Sequence, residues 1–236
     1  MNKSLVELLN ANTDETPDIQ IITQSPYYSI EQFIQEIKKH KDSFTILSLN
    51  IQCLNAKFDA LTILLDKIQS EDCTISAICI QETWADDRTN YDLYKLDKYN
   101  SIPQDKICSA HGGLCIYLHE MYTYDKLDLY NKSNIWEGQF IKIKNIKGRM
   151  ITIGNIYRPP EDINLNYENF TEEFNKILTK LQRNNTDTII AGDFNIDLLK
   201  IHDKQAIYNY FETNYHQGFS HRSLCQRGYH NARGHL

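Results

Sequence analysis

Acidic and amide side chains follow an apolar run late in this sequence, and their chemistry suits work on a water molecule and a phosphate. Asp193 and Asn195 come directly after the β-rich run Thr188–Ala191 and Gly192. On an extended chain, two residues at this spacing point their side chains to the same side. A carboxylate can activate water, and an amide can stabilise an oxyanion. The same pattern is also typical of an Asx-rich turn that leaves a strand.

Other predicted strands also end in polar or aromatic side chains, namely Asn50, Glu82, and Tyr157 with Arg158. Strand ends are rigid positions from which a sheet can assemble a site out of distant parts of the chain. Glu82 is a candidate ligand for Mg²⁺, which takes one or two carboxylates and keeps several waters. Taken singly, Glu82 also fits a solvated strand end, Tyr157 a rim aromatic, and Asn50 a helix or turn cap.

Apolar periodicity predicts the elements that would position these groups. Helices are predicted by a 3.6-residue spacing over three segments: Ile30–His40 with Ser29 as its cap, a segment starting just after Asn55, and the run from Tyr167 to Leu181. Strands are predicted over Phe44–Asn50, Ile75–Ile80, His111–His119, Tyr124–Leu129, Trp136–Ile143, Arg149–Tyr157 and Thr188–Ala191, with Lys147-Gly148 as a hairpin turn. A long surface loop is predicted from Tyr91 to Ser109, and a last helix from Ile207 to about Gly218.

The order of these elements favours a mixed α/β sandwich. Strands alternate with helices at both ends of the chain, whereas the segment 112–157 has no room for crossover helices. We divide the chain into a flexible polar leader over 1–28, a domain over 29–218 and a tail over 219–236. The tail carries three of the eight histidines and no periodic apolar pattern that could pack, so it is interpreted as disordered or foreign to the domain.

Composition limits the class of protein. The 236 residues carry a net charge of −6, which argues against adhesion of the whole surface to nucleic acid but allows a local basic groove. The six cysteines form no C-x-x-C pair and are interpreted as reduced core thiols. No run is apolar enough to span a bilayer and no signal peptide is evident, so we expect an intracellular protein without a membrane partner.

Five motifs together resemble the endonuclease/exonuclease/phosphatase superfamily, and most of all the apurinic-type endonuclease domain of non-LTR retrotransposons. The motifs are in register from about Phe44 to Gly218; they are the runs Ile46–Lys57, Ile80-Gln-Glu-Thr-Trp84, Gly112–Tyr117, Ile153–Pro160 and Gly192-Asp-Phe-Asn195. The resemblance implies a DNase I-like, four-layered sandwich of two mixed β-sheets flanked by helices. It also implies cleavage of phosphodiesters with a divalent metal.

The resemblance assigns a role to each motif residue. Glu82 would bind Mg²⁺, for which Mn²⁺ could substitute, and Asn50 would help to hold metal and phosphate. Tyr157 would donate to a phosphate oxygen. Asp193 would orient or deprotonate the attacking water, and Asn195 would stabilise the pentacovalent oxyanion.

DNA is the partner that the resemblance implies, in the nucleus and with a reverse transcriptase fused to the domain. Three rim residues are candidates for contacting DNA: Arg158, Lys57 and Trp84. Trp84 fits core packing equally well.

The chain departs from the family pattern after Gly218. Family members continue with a Thr-Arg segment, a late aspartate and an Asp-His pair, none of which matches here. His221, His230 and His235 lack the preceding aspartate. We therefore expect a copy whose last strands are missing and whose nuclease activity is weak or absent. Two alternatives stay open: an apurinic repair endonuclease or other phosphodiesterase, and a catalytically dead fragment or binding module.

Overall fold

The computed structural model describes residues 28–40, 43–106, 111–129, 135–144, 148–160, 166–183, 186–195 and 224–225. Three α-helices lie within these ranges: α1 (Ile30–Lys39), α2 (Leu54–Ser70) and α3 (Asn166–Arg183). The strands are β1 (Ile46–Asn50), β2 (Ala77–Gln81), β3 (Tyr99–Gln104), β4 (Leu114–His119), β5 (Tyr124–Lys126), β6 (Glu137–Lys144), β7 (Met150–Tyr157), β8 (Asp187–Asp193) and β9 (Leu224–Cys225). A short 3₁₀ helix spans Tyr91–Tyr94.

The strands form two mixed sheets. The first has the order β1-β2-β4-β3 and the second the order β5-β6-β7-β8-β9. Each sheet combines parallel and antiparallel pairs: β1 and β2 are parallel in the first sheet, β7 with β8 and β8 with β9 are parallel in the second, and the other pairs are antiparallel. The predicted hairpin between β6 and β7 is confirmed by their antiparallel register, which runs from Lys144 opposite Met150.

Three apolar cores separate four layers. In β2, Ile78 and Ile80 pack against α1 and α2, whereas Ala77 and Cys79 face the second sheet. This split follows from the two-residue period of a strand. The third core lies outside the second sheet, where Phe170 and Phe174 of α3 pack against Trp136. The predicted four-layered sandwich is therefore confirmed.

The helix ends agree closely with the sequence. Ser29 caps α1 in a capping box, in which its hydroxyl accepts from the Gln32 backbone N–H and the Gln32 side chain accepts from the Ser29 N–H. The second helix begins at Leu54, slightly earlier than predicted. None of the helices in the described ranges has the length and apolar character that a bilayer crossing requires. Cys53, Cys73, Cys79 and Cys115 are free thiols.

The prediction of a long loop over Tyr91–Ser109 was wrong. The segment contains the 3₁₀ helix and β3, an edge strand that pairs only with β4 among the described strands. Its sequence, Tyr-Asn-Ser-Ile-Pro-Gln, is mostly polar and includes Pro103. Proline is tolerated on an edge strand because one side of the strand has no partner. With only Tyr99 and Ile102 buried, β3 lacks the apolar alternation of an inner strand.

Most of the leader and the tail lie outside the described residues, as does the helix predicted from Ile207 to Gly218. Within the predicted tail, Leu224–Cys225 forms β9, which pairs in parallel with Ile190 and Ala191 of β8. Two tail residues thus belong to the second sheet.

Candidate functional site at the strand ends

The strand directions bring the predicted polar groups to one end of the sandwich. Parallel β1 and β2 both end there, with Asn50 opposite Gln81 in the register. Parallel β7 and β8 end there as well, with Tyr157 opposite Asp193. The two sheets are joined beneath this end by Asn155 of β7, whose side-chain oxygen accepts from the Gln81 amide at 2.6 Å. The strand ends are therefore held together by polar contacts as well as by apolar packing.

Asn50 connects the two acidic side chains of the site. Its Nδ2 donates to Glu82 Oε1 at 2.8 Å and to Asp193 Oδ2 at 2.7 Å. Glu82 and Asp193 come from different sheets, and both carboxylates converge on one nitrogen. Glu82 is only 8% exposed, so water screens its negative charge poorly. The structure therefore brings three of the predicted site residues into direct contact.

Tyr157 lies beside the same two carboxylates. Its side chain is 1% exposed. Burial raises the pKa of the Tyr157 hydroxyl well above its usual range, and the negative charge and hydrogen bond of Glu82 raise it further. Asp193 and Glu137 add smaller contributions in the same direction. The hydroxyl consequently stays protonated at neutral pH and can donate a hydrogen bond to an oxygen.

Arg158 holds the segment that carries Asp193 and Asn195. The Arg158 guanidinium is buried and donates from Nε to Phe194 O at 2.8 Å and from an Nη to Asn195 O at 2.9 Å. In return, Asn195 Nδ2 donates to Arg158 O at 2.7 Å, and the Arg158 backbone N–H donates to Asp193 O at 2.9 Å. These contacts give Arg158 a structural role, while the prediction that it contacts DNA stays a prediction.

Left-handed backbone conformations cluster at this end of the molecule. Of seven non-glycine residues with positive φ in the described part, five lie at the ends of β1, β2 and β8: Gln52, Cys53, Glu82, Trp84 and Asn195. Such conformations cost of order 1–3 kcal/mol each and persist only where surrounding contacts impose them. Three of these residues, Glu82, Trp84 and Asn195, carry side chains that lie at the candidate site.

Glycines around the site allow close contacts that a side chain would prevent. A Cβ on Gly192 would overlap the carbonyl of Ile156 on β7, and its φ of +154° is unfavourable for other residues. A Cβ on Gly112 would overlap the carboxylate of Glu137. Glu137 is fully buried and accepts from the Gly113 N–H at 2.6 Å.

The sequence did not single out Glu137, Gln81 or Asn155. Glu137 offered one signal, a charged residue directly after Trp136 at the start of a predicted strand. Gln81 stands within the predicted motif but beside the more obvious Glu82. Nothing local marks Asn155, because its partners belong to β2 and β4: Ile80 O at 3.0 Å and Cys115 O at 3.3 Å.

The two other rim candidates differ in how close they lie to the site. Trp84 is 38% exposed, and its indole Nε1 donates to Glu82 Oε2 at 3.3 Å. The sequence left a rim position and a core position equally open for Trp84, and the structure shows an exposed one, while its contact with DNA stays a prediction. Lys57 is exposed in the first turn of α2, which begins four residues after Asn50.

The donor set fits a divalent cation such as Mg²⁺. Within the described ranges, no group of three or more His, Cys, Asp or Glu side chains comes together. Mg²⁺ does not require such a group, because one or two carboxylates with several retained waters suffice. Here two carboxylates share one neutral amide donor, so a cation between them would neutralise their mutual repulsion. Glu82 would be a carboxylate ligand, with Asn50 and Asp193 beside it.

Comparison with known proteins agrees with this architecture. A sequence model of the "Endonuclease/Exonuclease/phosphatase family" matches residues 47–222. No curated protein matches the sequence closely enough to count as a relative.

Three solved structures illustrate what this chain is similar to. The APE2 catalytic domain from Xenopus laevis superimposes with a TM-score of 0.51 at 17% identity over 73% of this chain and 66% of that one. The catalytic domain of human Nocturnin with bound sulfate anion gives 0.50 at 16% identity over 71% and 68%. The AP endonuclease LMAP from Leishmania major gives 0.49 at 15% identity over 64% and 55%. This chain therefore spans about half to two thirds of the length of these structures.

Proposed function

The chain belongs to the endonuclease/exonuclease/phosphatase family, and on that premise we propose that it is a Mg²⁺-dependent phosphodiester hydrolase that nicks DNA. One observation carries the proposal: the Asn50 amide joins Glu82 of one sheet to Asp193 of the other. A carboxylate pair of this kind can seat a cation against a phosphodiester, as explained above.

Each residue of the candidate site would have a separate role in phosphodiester hydrolysis. A bound Mg²⁺ would supply positive charge to the phosphate oxygens. Asp193, fixed by Asn50, is placed to orient a water and accept its proton. Tyr157, kept protonated, donates to a phosphate oxygen.

Asn195 would meet the charge that develops on the phosphorus oxygens. Its side-chain amide has two N–H groups, and the bond to Arg158 O uses one of them. The second can donate to an oxyanion. Because Arg158 fixes the orientation of this amide, the donor needs little reorganisation during the reaction.

The sequence supports one biological context above others. The run Ile156-Tyr-Arg-Pro-Pro160 resembles the retrotransposon branch, so we propose that the domain nicks DNA for a reverse transcriptase fused to it. We further propose that this chain turns over slowly, because the residues after Gly218 do not match the Asp-His pair of the family pattern.

Two measurements test the proposal at different levels. Calorimetric titration with Mg²⁺ or Mn²⁺ should show binding that Glu82→Gln weakens strongly. Incubation with supercoiled plasmid and Mg²⁺ should show weak nicking at most, with none left in Asp193→Asn.

The outcomes separate the parts of the proposal. Absence of both metal binding and nicking would reject the hydrolase assignment and favour a binding module. Vigorous nicking that depends on Asp193 would keep the hydrolase assignment and show that the expected slow turnover is wrong.

A further inference from the structure

Two aromatic side chains form an exposed pair beside the candidate site. Trp84 and His111 have ring centroids 4.9 Å apart, with an angle of 54° between the ring planes. Both residues are exposed, in contrast to Trp136, the other tryptophan, which is fully buried in the third core. The Trp84–His111 pair therefore presents aromatic surface to solvent at the rim of the site.

The indole ring of Trp84 is held in a fixed position. Its Nε1 donates to Glu82 Oε2 at 3.3 Å, and its backbone N–H donates to Gly112 O at 2.9 Å. The φ angle of Trp84 is +57°, which is unfavourable for a bulky residue. An exposed tryptophan that only covered neighbouring side chains would not require this conformation. Since strain of this kind collects at ligand sites, the fixed indole is better explained by a ligand that stacks on it.

The position of the pair indicates the chemistry of that ligand. In the proposed function, Glu82 is the carboxylate that holds the cation and, through it, the phosphate. The Trp84 indole is hydrogen-bonded to this carboxylate. In a polynucleotide, each phosphate is flanked by bases that are attached through the sugars. A backbone seated at Glu82 would therefore carry a base to the ring next to Glu82. An aromatic ring stacks on any base, because every base has a π-face.

We propose that Trp84 and His111 form a base-stacking site for the nucleotide next to the scissile phosphodiester. This inference rests on the proposed function, which it extends from a phosphodiester to a base-bearing nucleic acid strand. The site would be tolerant of sequence, because stacking alone does not distinguish bases by their hydrogen-bonding edges.

Tryptophan fluorescence of the full chain provides a direct assay. The chain has two tryptophans, and only Trp84 is exposed. In Mg²⁺, titration with a phosphorothioate-linked octathymidylate that resists cleavage should quench the Trp84 emission. An oligomer of equal length and charge that carries abasic sugars should quench little and bind about 5- to 100-fold more weakly, the factor expected for loss of base–aromatic stacking.

Variants isolate the contribution of each ring. Trp84→Ala should lower the affinity for octathymidylate about 5- to 100-fold more than the affinity for the abasic oligomer, measured by anisotropy of a labelled oligomer. His111→Ala should give a smaller loss, and His111→Phe should restore it. Trp84→Phe should retain most of the affinity but show no quenching, because only buried Trp136 would still emit. Circular dichroism melting verifies that each variant is folded.

Each of three results would overturn the inference. Wild-type protein that binds both oligomers equally well would show that no base stacks, and the hydrolase proposal would stand. If Trp84→Ala and His111→Ala are folded and bind octathymidylate as tightly as the wild type, no base stacks on these two rings. If wild-type protein binds neither oligomer and Mg²⁺ also fails to bind, both the stacking site and the proposed function are wrong.

Discussion

Replacing Asn50 with aspartate tests the contact on which the candidate site depends. The substitution keeps the size of the side chain but exchanges its N–H₂ group for oxygen. In the structure this group donates to Glu82 at 2.8 Å and to Asp193 at 2.7 Å. The variant would place a third carboxylate at the point where two already converge, so two attractive contacts would become two repulsive ones.

The expected loss of stability follows from these contacts. Hydrogen bonds to charged groups contribute about 1.5–3 kcal/mol each. The repulsion is limited because one carboxyl can take up a proton, which costs about 4 kcal/mol at pH 7 for an ordinary pKa near 4. The protonated group can then donate one hydrogen bond again. Adding the cost of protonation to the one hydrogen bond that is not regained, we expect Asn50→Asp to lower the free energy of unfolding by about 5–7 kcal/mol at pH 7 without metal.

The loss should depend on pH and on Mg²⁺. In the folded variant, the two neighbouring carboxylates would raise the pKa of the carboxyl introduced at position 50. A raised pKa lowers stability as the pH rises above the ordinary value near 4 and has little effect below it. The deficit should thus shrink to about 2–3 kcal/mol at pH 4, where protonation costs little and only the lost hydrogen bond remains. Saturating Mg²⁺ at pH 7 should recover most of it, since carboxylates are its preferred ligands.

Urea denaturation, followed by circular dichroism and extrapolated linearly to water, measures these differences. Asn100→Asp on β3 is a matched control, because Asn100 is exposed and its substitution should change stability by less than about 0.5 kcal/mol. If Asn50→Asp in EDTA at pH 7 is as stable as the wild type, the three side chains do not converge in solution and the metal site is refuted.

Three further substitutions probe the surroundings of the site. Gly192→Ala should lower the free energy of unfolding by about 3 kcal/mol or more in a urea titration, because the added Cβ would overlap the Ile156 carbonyl. A loss under about 1 kcal/mol would contradict the close approach of β7 and β8. Arg158→Lys should lower the free energy of unfolding by about 3 kcal/mol in the same assay, because lysine cannot replace both guanidinium hydrogen bonds. Arg88→Lys at an exposed position is the control and should lower it by less than about 0.5 kcal/mol. Equal losses in the two variants would show that the Arg158 hydrogen bonds do not stabilise the fold. Mg²⁺ at a hundredfold excess over its Kd should stabilise the wild type by about 2.7 kcal/mol in thermal melts and should stabilise Glu82→Gln little, and equal stabilisation of both would place the metal elsewhere.

Local patterns were sufficient for most elements and for the candidate residues. The 3.6-residue spacing of Phe170, Phe174 and Ile177 reflects burial of one helix face, and the continuous apolar run of β2 reflects burial of both strand faces. The edge strand β3 was missed because only Tyr99 and Ile102 of its six residues are buried, so its sequence shows neither a continuous apolar run nor a regular alternation. Its pairing with β4 comes from backbone hydrogen bonds, which leave no mark in the sequence.

Arg158 illustrates the limit of predicting roles from residue types. A basic residue next to a predicted strand end is typical of a surface that binds phosphate. In the structure its guanidinium instead donates to the carbonyls of Phe194 and Asn195. Those acceptors are backbone atoms that every residue carries, so no residue type in the sequence could have indicated them.

The sequence by itself determined which side chains stand at strand ends and what chemistry they can perform, because strand and helix periods are local properties of the chain. Only the tertiary structure decided that Asn50 meets Asp193, 143 residues further along the chain, and that Trp84 lies against Glu82 with an exposed face. The reason is physical: the packing of one sheet on the other sets the distances between their strand ends, and that packing depends on all three cores at once.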